Sequence, residues 1–259
     1  MTKMIQSDDP RLRLIFALDV SEDFAGVMAW VRRLKGQVGV FKIGKELFTR
    51  FGPPIVEAVR KEGAEVFLDL KFHDIPSTVA RACEGAVGLG VHMFNIHALG
   101  GEEMIKEAVV ATSRQAEALH VKAPLVLAVT VLTSLTDKDL TQVGFNLSVP
   151  ELVTKLVTIA KKAGVHGVVC SPREIEVVRK VTGENFVLVT PGVRGQGEIR
   201  GDDQKRTLSA REAIAAGADY IVVGRPIRMA ADPVAMAEAL VEEIARGWEE
   251  RKPCQPSTA

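Results

Sequence analysis

Short apolar runs rich in Val, Ile, Leu and Phe recur along the whole chain, and an amphipathic stretch of helical period follows each. That order predicts repeated βα units. Eight runs read as strands, over 12–20, 39–44, 64–71, 92–97, 125–131, 167–171, 186–190 and 219–224. Helical segments lie between them, among them 24–35, 101–119, 149–164 and the Ala-rich 230–244, with Gly63, Gly90, Gly164 and Gly217 as stops before the next strand. Most runs lack strict polar alternation, so both faces of each strand are expected to be buried, as in an all-parallel sheet covered by helices. A closed barrel and an open doubly wound sheet both meet that condition. Eight units in 259 residues match the roughly 250 of a typical barrel, and no Gly-x-Gly-x-x-Gly turn follows the first strand. The expected fold class is therefore α/β, a single-domain (β/α)₈ TIM barrel over 1–248, with 249–259 as a flexible tail.

Barrels of this kind work at the C-terminal ends of their strands, so the residues that finish each run matter most. The first strand ends in Asp19, the second carries Lys42, the third ends Asp69-Leu70-Lys71 and the fourth ends in His97. The fifth runs into Thr130 and Thr133, the sixth ends at Ser171, the seventh at Pro191 with Arg194 beyond, and the eighth at Gly224-Arg225. A charge at the end of a buried strand has to be paired or put to use, because an isolated buried charge is costly. Asp69 and Lys71 are two apart and are expected to share the face toward the mouth, with Leu68 and Leu70 toward the helices. Asp74 completes an Asp-x-Lys-x-x-Asp set. A structural salt-bridge ladder would explain that set alone; with Lys42 added, apolar packing would serve a purely structural role as well.

The runs Pro191-Gly192-Val193-Arg194-Gly195-Gln196-Gly197 and Gly224-Arg225-Pro226 close the seventh and eighth strands, where such barrels hold phosphate. Glycine lets backbone N–H groups approach a ligand, and each arginine adds a planar fork of donors. The long, polar stretch 194–206 reads as a lid, with Gln204 placed to reach a phosphate from above.

Composition narrows the partners. With 47% hydrophobic and 25% charged residues the chain has an ordinary globular balance, and Lys+Arg and Asp+Glu are equal at 33 each. No net field draws in nucleic acid or a membrane surface, so any phosphate is bound locally. Cys83, Cys170 and Cys254 are widely spaced without a Cys-x-x-Cys pair, which argues against disulfides and structural zinc and suits a cytoplasmic location. The polar start of the chain lacks the apolar core of a signal peptide, so an unprocessed protein is expected. His92 and His97 face opposite ways on one strand and make no metal pair, whereas His73, His120 and His166 read as loop or surface residues. Met28, Trp30 and Met104 read as helix packing rather than a cofactor site.

The segment Phe67-Leu68-Asp69-Leu70-Lys71-Phe72-His73-Asp74-Ile75-Pro76-Ser77-Thr78 closely resembles the signature of the orotidine 5′-monophosphate decarboxylases, in their bacterial form. Ala17-Leu18-Asp19, Phe41-Lys42-Ile43-Gly44-Lys45, Val129-Thr130-Val131-Leu132-Thr133-Ser134, Thr190-Pro191-Gly192-Val193-Arg194, Asp203-Gln204 and Val223-Gly224-Arg225-Pro226-Ile227 follow in the family's order. The resemblance implies a cofactor-free lyase that converts orotidine 5′-monophosphate to UMP and CO₂ in pyrimidine biosynthesis. It implies that Asp19 and Lys42 bind the ribose hydroxyls, and that Lys42 joins a charged array with Asp69, Lys71 and Asp74 in which Lys71 is the proton donor. It further implies that Thr133 lies near the pyrimidine and Pro191 against the ring. Arg194, Gln204, Gly224 and Arg225 would surround the phosphate. Asp74, Ile75 and Thr78 would enter a neighbouring subunit's site, so that a homodimer is the working unit. Gly195 departs from the Pro that many bacterial relatives carry after the arginine, which implies a looser lid.

Three other readings compete. A Mg²⁺-dependent phosphosugar decarboxylase or aldolase on the same barrel also uses Asp-x-Lys-x-x-Asp, but Lys42 would stand where such an enzyme needs a metal-ligating carboxylate. A silent phosphate-binding barrel leaves two lysines and two aspartates in one cluster without a purpose. A Schiff-base aldolase needs a neutral amine, and paired carboxylates would keep Lys71 protonated.

Overall fold

The computed structural model describes residues 9–194 and 208–251, with the backbone alone for Arg194. Eight parallel strands close into a barrel: β1 (Leu14–Ala17), β2 (Val40–Gly44), β3 (Glu65–Phe72), β4 (Met93–His97), β5 (Leu125–Val129), β6 (Gly167–Val169), β7 (Val187–Pro191) and, beyond the short pair β8 (Val193–Arg194) and β9 (Leu208–Ser209), β10 (Tyr220–Val223). The ring closes where β10 pairs with β1, Leu14 opposite Ile221. The connecting helices are α1 (Phe24–Leu34), α2 (Lys45–Phe51), α3 (Pro53–Lys61), α4 (Pro76–Gly88), α5 (Gly101–Leu119), α6 (Asp137–Gln142), α7 (Val149–Lys162), α8 (Ile175–Thr182), α9 (Ala210–Ala216), α10 (Arg225–Arg228) and α11 (Pro233–Glu250). Each expected strand is present, inside or within one residue of its predicted span.

Alternation along the strands divides the apolar side chains into two cores. Leu14, Phe16, Phe41, Ile43, Leu68, Phe94 and Ile96 pack outward against the helices, Met28 and Met104 among them. Ile15, Ala17, Val40, Phe67, Met93, Leu127, Val189 and Tyr220 fill the barrel itself. A fully buried side chain of this size stabilises the fold by roughly 1.5–3 kcal/mol.

Helix ends follow their local chemistry. Asp23 caps α1 by accepting from Gly26 N, and Ser148 with Glu151 forms a capping box on α7. Gly63, Gly90, Gly164 and Gly217 all take positive φ, as their reading as helix stops requires. At Gly217, with φ of 121°, a Cβ would also meet the Arg179 side chain at 3.0 Å.

Two expectations are corrected at the C-terminal end. Helix α11 starts later than 230, because the Asp232 carboxylate accepts from Val234 N and Ala235 N and Pro233 takes the first helical position. It also runs through Glu249 and Glu250, and the Arg251 side chain, 6% exposed, packs at the base of the barrel. Residues 252–259, the remainder of the expected tail, lie outside the described residues. At that base Arg179 donates to the Gly183, Phe186 and Gly217 carbonyls and pairs with Asp219 at 2.6 Å. The other Asp219 oxygen pairs with Arg251 at 3.0 Å, and Arg251 reaches Glu184 at 2.7 Å. The Arg13 guanidinium lies 3.4 Å from the Trp248 ring centre and donates to the Asp219 carbonyl.

Candidate active site

A cavity of about 670 Å³ opens at the C-terminal ends of the strands. Its floor is set by the same alternation that fills the barrel. Lys42 follows Val40, Asp69 follows Phe67 and Asn95 follows Met93, each two residues on, so polar groups replace apolar ones on the interior face near the mouth.

The four charges form a chain. Lys42 Nζ lies 3.0 Å from Asp19 and 3.3 Å from Asp69, and Lys71 Nζ lies 2.6 Å from the other Asp69 oxygen. Lys42 and Asp69 are largely buried, whereas Lys71 is more open to the cavity. Burial disfavours the ionised form of both, but the carboxylates of Asp69 and Asp19 outweigh it at Lys42 and hold its pKa above the ordinary 10.5. At Asp69 burial is likewise outweighed, by Lys42, Lys71 and the Asn95 amide, and the pKa falls below 3.8. Lys42 and Asp69 are therefore both charged near neutrality.

That balance sets a pH dependence. The depressed Asp69 pKa gives stability that is complete above its ordinary value and lost as pH falls through the lower folded value. For Lys42 the contribution is complete below 10.5 and lost as pH rises through the higher folded value. The stability gap between the native chain and its Asp69→Asn variant is expected to stay level between about pH 5 and 9 and to close only below about pH 4 in urea titrations. A gap that changes steadily across neutrality would contradict these directions.

The route by which Asp69 and Lys71 reach one side differs from simple alternation. The β3–β4 register shifts between Leu68 and Phe72, and Lys71 takes a left-handed backbone with φ of 52°. A side chain in that region strains the backbone by roughly 1–2 kcal/mol. Asn95, 1% exposed, spans the bulge: its Oδ1 accepts from Lys71 N and its Nδ2 donates to Asp69, both at 2.7 Å. Sequence reading passed over Asn95, although its place two residues after Met93 on an interior face was a readable signal. Gly44 was also passed over; a Cβ there would stand 3.1 Å from Lys42 Nζ and 3.3 Å from Asp19.

Asp19, Thr133, Pro191, Gly224 and Arg225 line the cavity with the array, and Ser21, Ser134 and Arg228, not singled out from the sequence, join them. Asp74 does not enter the array of its own chain. It is exposed and accepts from Ile75 N at 2.7 Å, and Ile75 and Thr78 beside it are exposed too. Thr130 and Ser171 are buried, with Thr130 donating to the Val169 carbonyl. His97 stacks on His73 with ring centres 5.3 Å apart, outside the cavity, and burial pushes its pKa down to about 4. His166 is half-buried rather than a surface residue, its Nδ1 accepting from Val126 N. Arg194 pairs through its backbone with Ser209; Gln204 and most of the expected lid, 195–206, lie outside the described residues.

Residues 12–240 match the sequence profile of the orotidine 5′-phosphate decarboxylase / HUMPS family. The chain is 54% identical over 251 residues to an orotidine 5′-phosphate decarboxylase of Syntrophus aciditrophicus, covering 97% of this chain and 100% of that protein. With one of Syntrophotalea carbinolica it shares 52% identity over 242 residues, covering 93% and 98%. A crystal structure of orotidine 5′-phosphate decarboxylase from Lactobacillus acidophilus superposes with a TM-score of 0.79 at 35% identity, over 89% of this chain and 98% of that one.

Proposed function

The chain belongs to the orotidine 5′-phosphate decarboxylase / HUMPS family, and from that premise we propose that the Asp19–Lys42–Asp69–Lys71 array is the machinery by which it converts orotidine 5′-monophosphate to UMP and CO₂. One observation carries the reading: the Lys71 ammonium stands at the cavity mouth, held 2.6 Å from a buried carboxylate. Breaking the C6–carboxylate bond of orotate leaves an electron pair in the ring plane, where the π system does not absorb it. Lys71 stabilises that pair and passes one Nζ proton to C6 as CO₂ departs, then regains a proton from solvent. Asp69 faces the departing carboxylate, and Lys42 keeps Asp69 ionised.

Unit charges at 4 Å interact by only about 4 kcal/mol at a protein-like dielectric, whereas slow uncatalysed reactions call for some 20 kcal/mol of assistance. The remainder comes from preorganised dipoles and from binding energy at the far end of the nucleotide. Asp19 and Lys42 hold the ribose hydroxyls, Thr133 and Pro191 the pyrimidine. The backbone at Gly224 and the side chains of Arg194, Gln204 and Arg225 hold the phosphate. The test is loss of orotidine monophosphate absorbance in metal-free buffer.

The rival metal-dependent chemistry needs oxygen ligands for Mg²⁺, yet Asp19 and Asp69 already share the Lys42 ammonium. Turnover is expected to change less than twofold after EDTA treatment and on adding back Mg²⁺; loss on chelation with recovery on Mg²⁺ would favour the rival.

The exposed Asp74, Ile75 and Thr78 complete the site of a second copy, making the enzyme a homodimer that works in the cytoplasm. Mixing inactive Lys71→Ala with inactive Asp74→Ala chains is then expected to restore about a quarter of native activity, because half the dimers are mixed and each mixed dimer holds one intact site of two. A mixture that stays inactive after subunit exchange would remove Asp74 from the partner's site.

A further inference from the structure

We propose that Asn95 is a positioning residue for the decarboxylation, the clamp that holds the β3 bulge in the one shape that aims Lys71 into the cavity. The inference rests on the reading of Lys71 as proton donor. Three observations meet at this side chain. Asn95 is 1% exposed on β4, two residues after Met93 on the interior face and between the apolar Phe94 and Ile96, where an amide needs partners for its donor and its acceptor alike. Both partners belong to the charged array: Nδ2 donates to Asp69 Oδ1 and Oδ1 accepts from Lys71 N, each at 2.7 Å. Those bonds fall where the β3–β4 register breaks and Lys71 adopts its left-handed backbone, a conformation that survives only where its surroundings impose it.

The chemical consequence is a single bridge between the backbone of the donor lysine and the carboxylate that holds its ammonium. Asp69 Oδ1 receives Lys71 Nζ at 2.6 Å as well as the Asn95 amide. Asn95 is not among the residues that line the cavity. Its influence therefore runs through Lys71 and Asp69. Facing Asp69 are Lys42 from β2, Lys71 from its own strand and Asn95 from β4, with Asp19 behind Lys42. Removing the amide takes away one of the donors that keep Asp69 ionised, so Asp69 would bind a proton at higher pH than in the native chain.

The test compares native, Asn95→Ala and Asn95→Asp chains by kcat, KM, UMP affinity and the pH profile of kcat/KM. Asn95→Ala is expected to lower kcat about 10- to 100-fold, the effect of a small misplacement of a reacting group. KM and UMP affinity are expected to stay within threefold, and the acid limb of the profile to move to higher pH. Asn95→Asp keeps an acceptor for Lys71 N and the native volume but has no N–H for Asp69 when ionised. It is expected to lose at least tenfold in kcat near neutrality, and it stands in for Asn95→Ala should that variant not fold. A kcat within threefold of native in the folded variant overturns the inference, as does a parallel loss of kcat and UMP affinity with the acid limb unmoved, which marks a merely structural residue. A native chain that leaves orotidine monophosphate intact overturns instead the functional reading on which this rests.

Discussion

Replacing Lys71 by alanine is expected to lower kcat for orotidine monophosphate by about 10⁴-fold or more, while UMP binds within a few-fold of its native affinity. In the proposed mechanism the ammonium does two things at once: it offsets charge that appears at C6 only as CO₂ leaves, and it supplies the proton that quenches it. An interaction made only in the transition state removes kcat when deleted and leaves ground-state binding largely intact. The phosphate and ribose contacts proposed above would still hold UMP in the variant. Lys71 also sits at a positive φ, so Lys71→Gly makes a sharp companion. Glycine adopts that backbone without strain and is expected to be no more active than alanine. Near-native turnover in either variant, followed by loss of absorbance in metal-free buffer, would remove Lys71 from the proton-donor role.

The second large effect lies at the opposite end of the barrel. Asp219→Ala is expected to destabilise the fold by about 3–5 kcal/mol, because Arg179 and Arg251 would then face each other in a buried site with their shared carboxylate gone. Leu188 N loses its acceptor in the same step. A lowered urea midpoint at unchanged slope measures the loss. Turnover of the folded variant at low temperature is expected to be near native, since Asp219 precedes β10 and the cavity opens beyond that strand's far end. A loss below about 1 kcal/mol would show that the network adds little to stability.

The fold was legible because strands buried on both faces leave continuous apolar runs, and those runs keep one length and spacing around the chain. The charged set was legible because Asp19, Lys42, Asp69 and Lys71 interrupt such runs where apolar residues belong. Asn95 and the bulge at Lys71 were harder to see. Alternation assumes a uniform pleat, and a register shift is a property of two strands together, here β3 against β4. The base network escaped for a related reason: Arg13, Arg179, Asp219 and Arg251 are far apart in sequence and converge only once the barrel closes. Spacing groups Asp74 with Asp69 and Lys71, but it does not show that the loop carries Asp74 to the surface of its own chain.

The packed interior has a further consequence for the leaving gas. Beneath Asp69 and Lys71 the barrel is plugged by Ile15, Phe67, Met93, Leu127, Val189 and Tyr220, every one of them buried. Carbon dioxide released at C6 meets a hydrocarbon stopper below and departs through the same opening that admitted the nucleotide.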